Sequence, residues 1–180
     1  GYGEGFDLEA APTRLQALIM FIRVLGEEEQ ALTWSGTTPF KDIEKGSQAE
    51  HYVGYAYEKG YTNGYTATSF KPAGAVNAYQ YTEFVLRAMG YSSAANKDLS
   101  DTLLRAVNAG VLTDGDAAML QSAAFLRAQL VYISYYALEA DLPDGSQSLA
   151  DYLMDLGVFT RDEWRSSWKL VKSCLLYTSP

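Results

Sequence analysis

The chain has 180 residues, 48% hydrophobic and 20% charged, with a mean hydropathy of −0.14, which suits one globular domain or compact array with its own core. A net charge of −8 and a pI near 4.6 argue against nucleic acid as a partner, because a phosphate backbone demands a concentrated positive surface. Any anionic ligand must be met by local cations, and no apolar run reaches the length of a membrane span, the longest being interrupted by Arg23 or Ser134.

The first predicted helix follows Pro12. Leu15, Leu18, Ile19, Ile22 and Leu25 keep the i, i+3, i+4, i+7 spacing, and Thr13 with Gln16 makes a capping box. After Gly26, Glu27, Glu28 and Glu29 read as a solvated connector. Trp34 precedes a Ser-Gly-Thr-Thr-Pro linker and is either an exposed aromatic platform or a cover over the boundary between units. A second kind of helix covers residues 48–59 and stops at Gly60, a C-terminal cap. Its His51, the sole histidine, has no second His or Cys to share a metal and reads as a solvated or satisfied helix residue. Tyr52, Tyr55, Tyr57, Tyr61 and Tyr65 cluster around the following loop, where packing with hydroxyls at the rim suits most of them better than stacking on a ligand. In that loop Asn63 and Gly64 mark a turn needing positive φ, with ligand contact a secondary use.

The next helix, with Tyr81, Phe84, Val85, Ala88 and Met89 on one face, is capped by Asn77 and Gln80. It repeats the first: Phe6, Thr13, Gln16, Arg23 and Gly26 recur 64 residues later as Phe70, Asn77, Gln80, Arg87 and Gly90. An ungapped register of this kind implies one supersecondary unit reused around a shared core. Residues 99–108 before Gly110 repeat the second kind of helix, and Leu126, Leu130, Ile133, Ala137 and Leu138 give a third copy of the first kind. There Leu126 occupies the capping position, so that helix either starts earlier, near Ser122, or is capped less well. Asp114-Gly115-Asp116 and the Asp141 to Gly145 stretch lack the continuation of a calcium loop, and turn chemistry accounts for both. Residues 148–156 and 161–171 predict two more helices, the latter with a Thr160 and Glu163 capping box. Residues 173–180 resemble translated sequencing-adapter sequence and are set aside; they hold the only cysteine, Cys174, so no disulfide framework or thiolate metal site is expected.

Phe40-Lys41-Asp42-Ile43, Glu58-Lys59-Gly60, Asn63-Gly64, Phe70-Lys71-Pro72 and a helix ending Arg87-Ala88-Met89-Gly90 together resemble a complete S-layer homology repeat. The resemblance implies an all-α fold: a pseudo-threefold array of helix-loop-helix repeats around a central three-helix bundle. It divides the chain into the second half of a first repeat (residues 1–32), a second repeat (33–92), a shortened third (93–140), a helical extension or linker (141–172) and a non-native tail (173–180). The first helix of repeat one has no counterpart before Gly1, so the N-terminus is expected to be truncated.

The function implied is noncovalent anchoring of a secreted protein to an anionic, pyruvylated secondary polysaccharide in the wall of a Gram-positive-type bacterium. A ketal carboxylate suits a fixed guanidinium at a helix N-terminus, and Arg14 and Arg127 match the family's motif arginine. Gln16 and Gln129 stand where the motif has glutamate and are expected to be supporting donors, with Asn63, Gly64 and Asp42 completing the implied binding set; Asp42 is also a natural cap. In repeat two the arginine position is Ala78, so that groove is expected to be nonbinding or altered. No catalytic motif stands out and paired carboxylates are not singled out, so no catalysis, cofactor or metal is expected. Two other readings stay open: a degenerate module for surface protein-protein assembly through tyrosine faces, and the targeting segment of a larger wall hydrolase.

Overall fold

The structure, a computed structural model, describes residues 7–178, with side chains described through residue 170. Phe6 and the side chain of Cys174 therefore lie outside the described residues. The described helices are α1 (Arg14–Val24), α2 (Glu28–Leu32), α3 (Gln48–Glu58), α4 (Ala78–Met89), α5 (Thr102–Asn108), α6 (Asp114–Ser122), α7 (Arg127–Glu139), α8 (Leu149–Asp155) and α9 (Arg161–Thr178). Among the described residues there is no sheet, only isolated bridges such as Thr13 with Ala75, so the expected all-α class holds.

The apolar faces of α1, α4 and α7 meet. Phe21 stands edge-on to Tyr81 at 6.0 Å and to Phe84 at 5.4 Å, and the Tyr81 and Ser134 hydroxyls share a hydrogen bond of 2.6 Å between α4 and α7. Leu18, Ile22, Val85, Leu86, Leu130 and Ile133 are buried around them. Each such side chain contributes about 1.5–3 kcal/mol by leaving water, which outweighs the capping of any one helix. Thr13 with Gln16 and Asn77 with Gln80 form full capping boxes. In α7 only half of the box exists: Gln129 Oε1 accepts the Leu126 N–H at 2.9 Å, and leucine offers no oxygen in return. The helix does not begin near Ser122; it is the less well capped of the two alternatives.

The backbone joins the units in a repeated way. Arg14 N–H donates to Gly74 O at 2.8 Å and Leu15 N–H to Pro72 O at 3.2 Å. Arg127 N–H donates to Ala10 O at 2.9 Å and Ala128 N–H to Leu8 O at 3.0 Å. Leu8 and Ala10 are the first-repeat counterparts of Pro72 and Gly74, shifted by the same 64 residues. A loop of one unit thus fills the otherwise orphaned N–H groups that open a helix of another. In the third unit α6 takes up the corresponding stretch of chain.

Two sequence expectations need correction. The acidic run is not a solvated connector. Glu27 accepts from the hydroxyls of Tyr55 (2.7 Å) and Tyr61 (2.9 Å), while Glu28, in the first turn of α2, accepts from the Tyr52 hydroxyl and from Arg23 Nε at 2.7 Å. Burial and the facing carboxylate push the Tyr55 and Tyr61 hydroxyls far above their ordinary pKa. Likewise Asp114 to Asp116 is not a free turn. Thr113 and Asp116 form a capping box that opens α6.

Trp34 packs within its own unit: its ring sits against Gly54 of α3 and its Nε1–H donates to Glu58 at 2.7 Å. His51 Nδ1 is satisfied by the Trp34 carbonyl oxygen at 2.6 Å. At the other end, α9 folds back on α7, with Tyr135 stacked on Trp164 and Trp168, each at 5.8 Å.

Candidate functional site

The loop after α3 builds one wall of a cleft. Tyr61 and Thr62 N–H groups close on the Ala56 carbonyl, and the chain then reverses at Gly64, whose φ is +86°. A Cβ there would collide with the Phe40 ring and lie 2.6 Å from the Thr66 carbonyl oxygen, so both the dihedral and the space require glycine. Asn63 Nδ2 donates to the Ala94 carbonyl at 2.9 Å, tying this turn to the chain that follows α4. The loop doubles back where Tyr65 N–H meets Ser69 O at 2.8 Å. Asp42 fixes its far end by accepting from Ser69 Oγ (2.8 Å), Phe70 N–H (2.9 Å) and Lys71 N–H (2.8 Å). Those donors outweigh burial and hold the Asp42 carboxyl below its ordinary pKa.

Between this loop, α1 and α4 lies a cavity of about 240 Å³. Arg14 stands in its wall. Its Nε–H donates to Phe70 O at 2.7 Å, and its guanidinium carbon lies 4.8 Å from the Phe70 ring centroid and 5.6 Å from that of Tyr65. Nη1 and Nη2 make no hydrogen bond among the described residues. Partial burial pushes the Arg14 pKa down, with Tyr65 and Asp42 opposing. The group stays charged, held in one plane with its two-nitrogen end open, which is the geometry that receives a carboxylate end-on. Lys71 completes this edge, its ammonium 3.9 Å from the Tyr65 ring centroid.

The inner wall is more elaborate. Glu83, 0% exposed, accepts from Ser92 Oγ (2.6 Å), Asn96 Nδ2 (3.1 Å), Thr102 Oγ1 (2.9 Å) and Arg105 Nη2 (2.6 Å). Burial pushes its pKa up, but those bonds, led by Arg105, more than offset it and leave the carboxyl below its ordinary value. Arg87 and Lys97 line the same cavity.

Of the residues expected from sequence, Arg14, Asn63 and Gly64 line this cleft, and Asp42 supports it from behind. Gln16 and Gln129 place their Oε1 atoms on helix caps, at Thr13 N–H (3.1 Å) and Leu126 N–H (2.9 Å). Arg127 does not join Arg14; it opens α7, with Nη2 3.4 Å from Gln16 Oε1. Residues 1–6, which correspond to 65–70 in the 64-residue register, lie outside the described residues. Ala78 is buried. The third unit has a shallow cleft lined by Thr113, Asp116, Tyr136 and Glu139, which brings acids where the Arg14 cleft brings cations. Sequence reasoning missed Tyr65, Phe70, Arg87 and Lys97 as cleft residues. The shared register of Arg87 with Arg23 was visible, but not their different surroundings.

A helical repeat array with a ring-walled, cation-lined cleft on an acidic chain has the form of a binding module. Residues 39–77 match the family described as S-layer homology domain. The match takes in Asp42, Asn63, Gly64 and Phe70, with Arg14 and Arg127 outside it. S-layer homology domains are noncatalytic modules of surface proteins that anchor to the cell wall by binding its secondary polymers. Comparison with curated proteins and with solved structures gives no match. No described helix is long and apolar enough to cross a membrane.

Proposed function

We propose that this chain anchors a secreted protein to the wall of a Gram-positive-type bacterium by binding an anionic, pyruvylated secondary polysaccharide in the Arg14 cleft. The observation that carries this reading is the guanidinium of Arg14, pinned through Nε to Phe70 O and partly desolvated, with neither Nη group hydrogen-bonded among the described residues. A ketal carboxylate meets two parallel donors there, while the sugar face finds Tyr65, half exposed at the rim. Arg127, with Gln16 beside it and Gln129 two residues on, forms a second groove of the same kind, and the groove at Ala78, which lacks the arginine, is silent or altered. The three helix-loop-helix units are arranged with pseudo-threefold symmetry, in the order read from the sequence.

Losing the Arg14 contact costs about 2–5 kcal/mol of affinity if the carboxylate is desolvated. The test is competition: pyruvylated oligosaccharide should displace the protein from wall polysaccharide, and the same oligosaccharide stripped of its ketal should not. Equal displacement by both would exclude carboxylate recognition. The second reading, protein-protein assembly, is favoured by the exposed rings of Tyr57 and Tyr152, and predicts self-association or capture of a surface protein with no response to either sugar.

A further inference from the structure

In the 64-residue register Arg87 is the counterpart of Arg23, yet the two have opposite surroundings. Arg23 is a surface residue, its side chain 60% exposed and paired with Glu28 at 2.7 Å. The Arg87 side chain is 7% exposed and lines the cleft. Its one hydrogen bond among the described residues runs from Nη2 to the Asn96 carbonyl at 2.6 Å. Its Nε is buried with no hydrogen-bond partner among the described residues, and its ion pair with Glu83 is a long one, 3.7 Å, too far for a hydrogen bond. Glu83 has no need of it, since Ser92, Asn96, Thr102 and Arg105 already occupy both oxygens. A buried guanidinium normally has its donors filled, because an unfilled one forfeits its hydration without return.

We propose that Arg87, with Lys97, is a second anion subsite at the inner wall of the Arg14 cleft, so that the cleft takes a glycan carrying two negatively charged groups, carboxylate or phosphate. This rests on the glycan reading above and narrows its ligand. The charges agree with it. Arg105 answers Glu83 at 2.6 Å and Asp101 at 3.0 Å, and Asp101 is a 57% exposed residue outside the cleft. Glu83 is the only acid lining the cavity, against Arg14, Arg87 and Lys97. Burial and the nearby Arg105 both push the Arg87 pKa down, opposed by Glu83 alone. An anion reaching Nη1 would relieve that strain on the charge.

The test uses the full chain, purified acidic wall polysaccharide, and the variants Arg87→Met, Lys97→Ala and Arg14→Ala. Arg87→Met should melt at the same or a higher temperature than the unsubstituted protein while binding about tenfold or more weakly. Lys97→Ala, at an exposed position, should leave the melting temperature unchanged, weaken binding and reduce its salt dependence. A lower melting temperature for Arg87→Met assigns Arg87 to structure and overturns the proposal. Full affinity in Lys97→Ala and Arg87→Met, with binding lost in Arg14→Ala, makes the cleft a one-anion site and also overturns it, leaving the glycan reading intact. An unsubstituted protein that ignores the polysaccharide defeats the glycan reading itself, and this subsite with it.

Discussion

Arg14 Nε donates to the carbonyl oxygen of Phe70 at 2.7 Å, a bond between residues 56 apart in sequence that joins two repeats. Phe70 in turn gives its N–H to Asp42 at 2.9 Å. The carboxylate of one segment thereby sets the plane of a guanidinium it does not touch.

Asp42→Ala should consequently impair binding without removing any cleft-lining group. Loss of three accepted hydrogen bonds is expected to lower stability by about 1–3 kcal/mol, and freeing the Phe70 carbonyl should weaken polysaccharide binding as well. Urea denaturation and a binding isotherm on the same variant check both. Normal affinity in a destabilised Asp42→Ala would separate the loop clamp from the arginine.

Gly64→Ala is expected to cost about 2 kcal/mol or more, since it combines a left-handed dihedral with a collision against Phe40 and the Thr66 carbonyl. Its thermal midpoint should fall well below that of Gly46→Ala, where φ is also positive, at +78°, but no atom lies within 4 Å. The comparison isolates the steric part of the penalty. Matching losses would mean that the dihedral alone is responsible.

Acid should unfold this protein through its depressed carboxyls. Glu83 lies below its ordinary 4.5 and Asp42 below 3.8, so near those values the unfolded chain binds more protons than the folded one. Their contribution is complete above the unfolded pKa and is lost as pH falls through the folded one. Stability measured in urea should hold from about pH 7 to about pH 5 and decline below that. Glu83→Gln should be destabilised at neutral pH, because Arg105 loses its buried counter-charge, and should show a shallower decline in acid. An unchanged acid slope would remove Glu83 from the account.

Much of the architecture was legible because it rests on local rules. Thr13 with Gln16 and Asn77 with Gln80 cap helices as their spacing requires, and the apolar faces of α1, α4 and α7 come together as their periodicity implies. The cleft was legible only in part. Arg14 was singled out by its match to the family's motif arginine rather than by any local rule, and Arg87 shares its register with a surface arginine. Its burial depends on the segment from Ser92 to Thr102 folding over Glu83, a long-range event that no local spacing encodes. The acidic run after α1 misled for the same reason. Its three carboxylates look solvated until tyrosines from α3 and the following loop arrive to donate to two of them.

The most direct test of wall anchoring through arginine is cosedimentation with purified cell-wall sacculi before and after acid extraction of the secondary polysaccharide. The unsubstituted protein, Arg14→Ala with Arg127→Ala, and Arg14→Lys would be compared. The account predicts binding that vanishes on extraction and in the double variant, and that Lys does not restore, because an ammonium offers no paired donors beside a bond to Phe70 O. Sedimentation that survives both the extraction and the double substitution would contradict it.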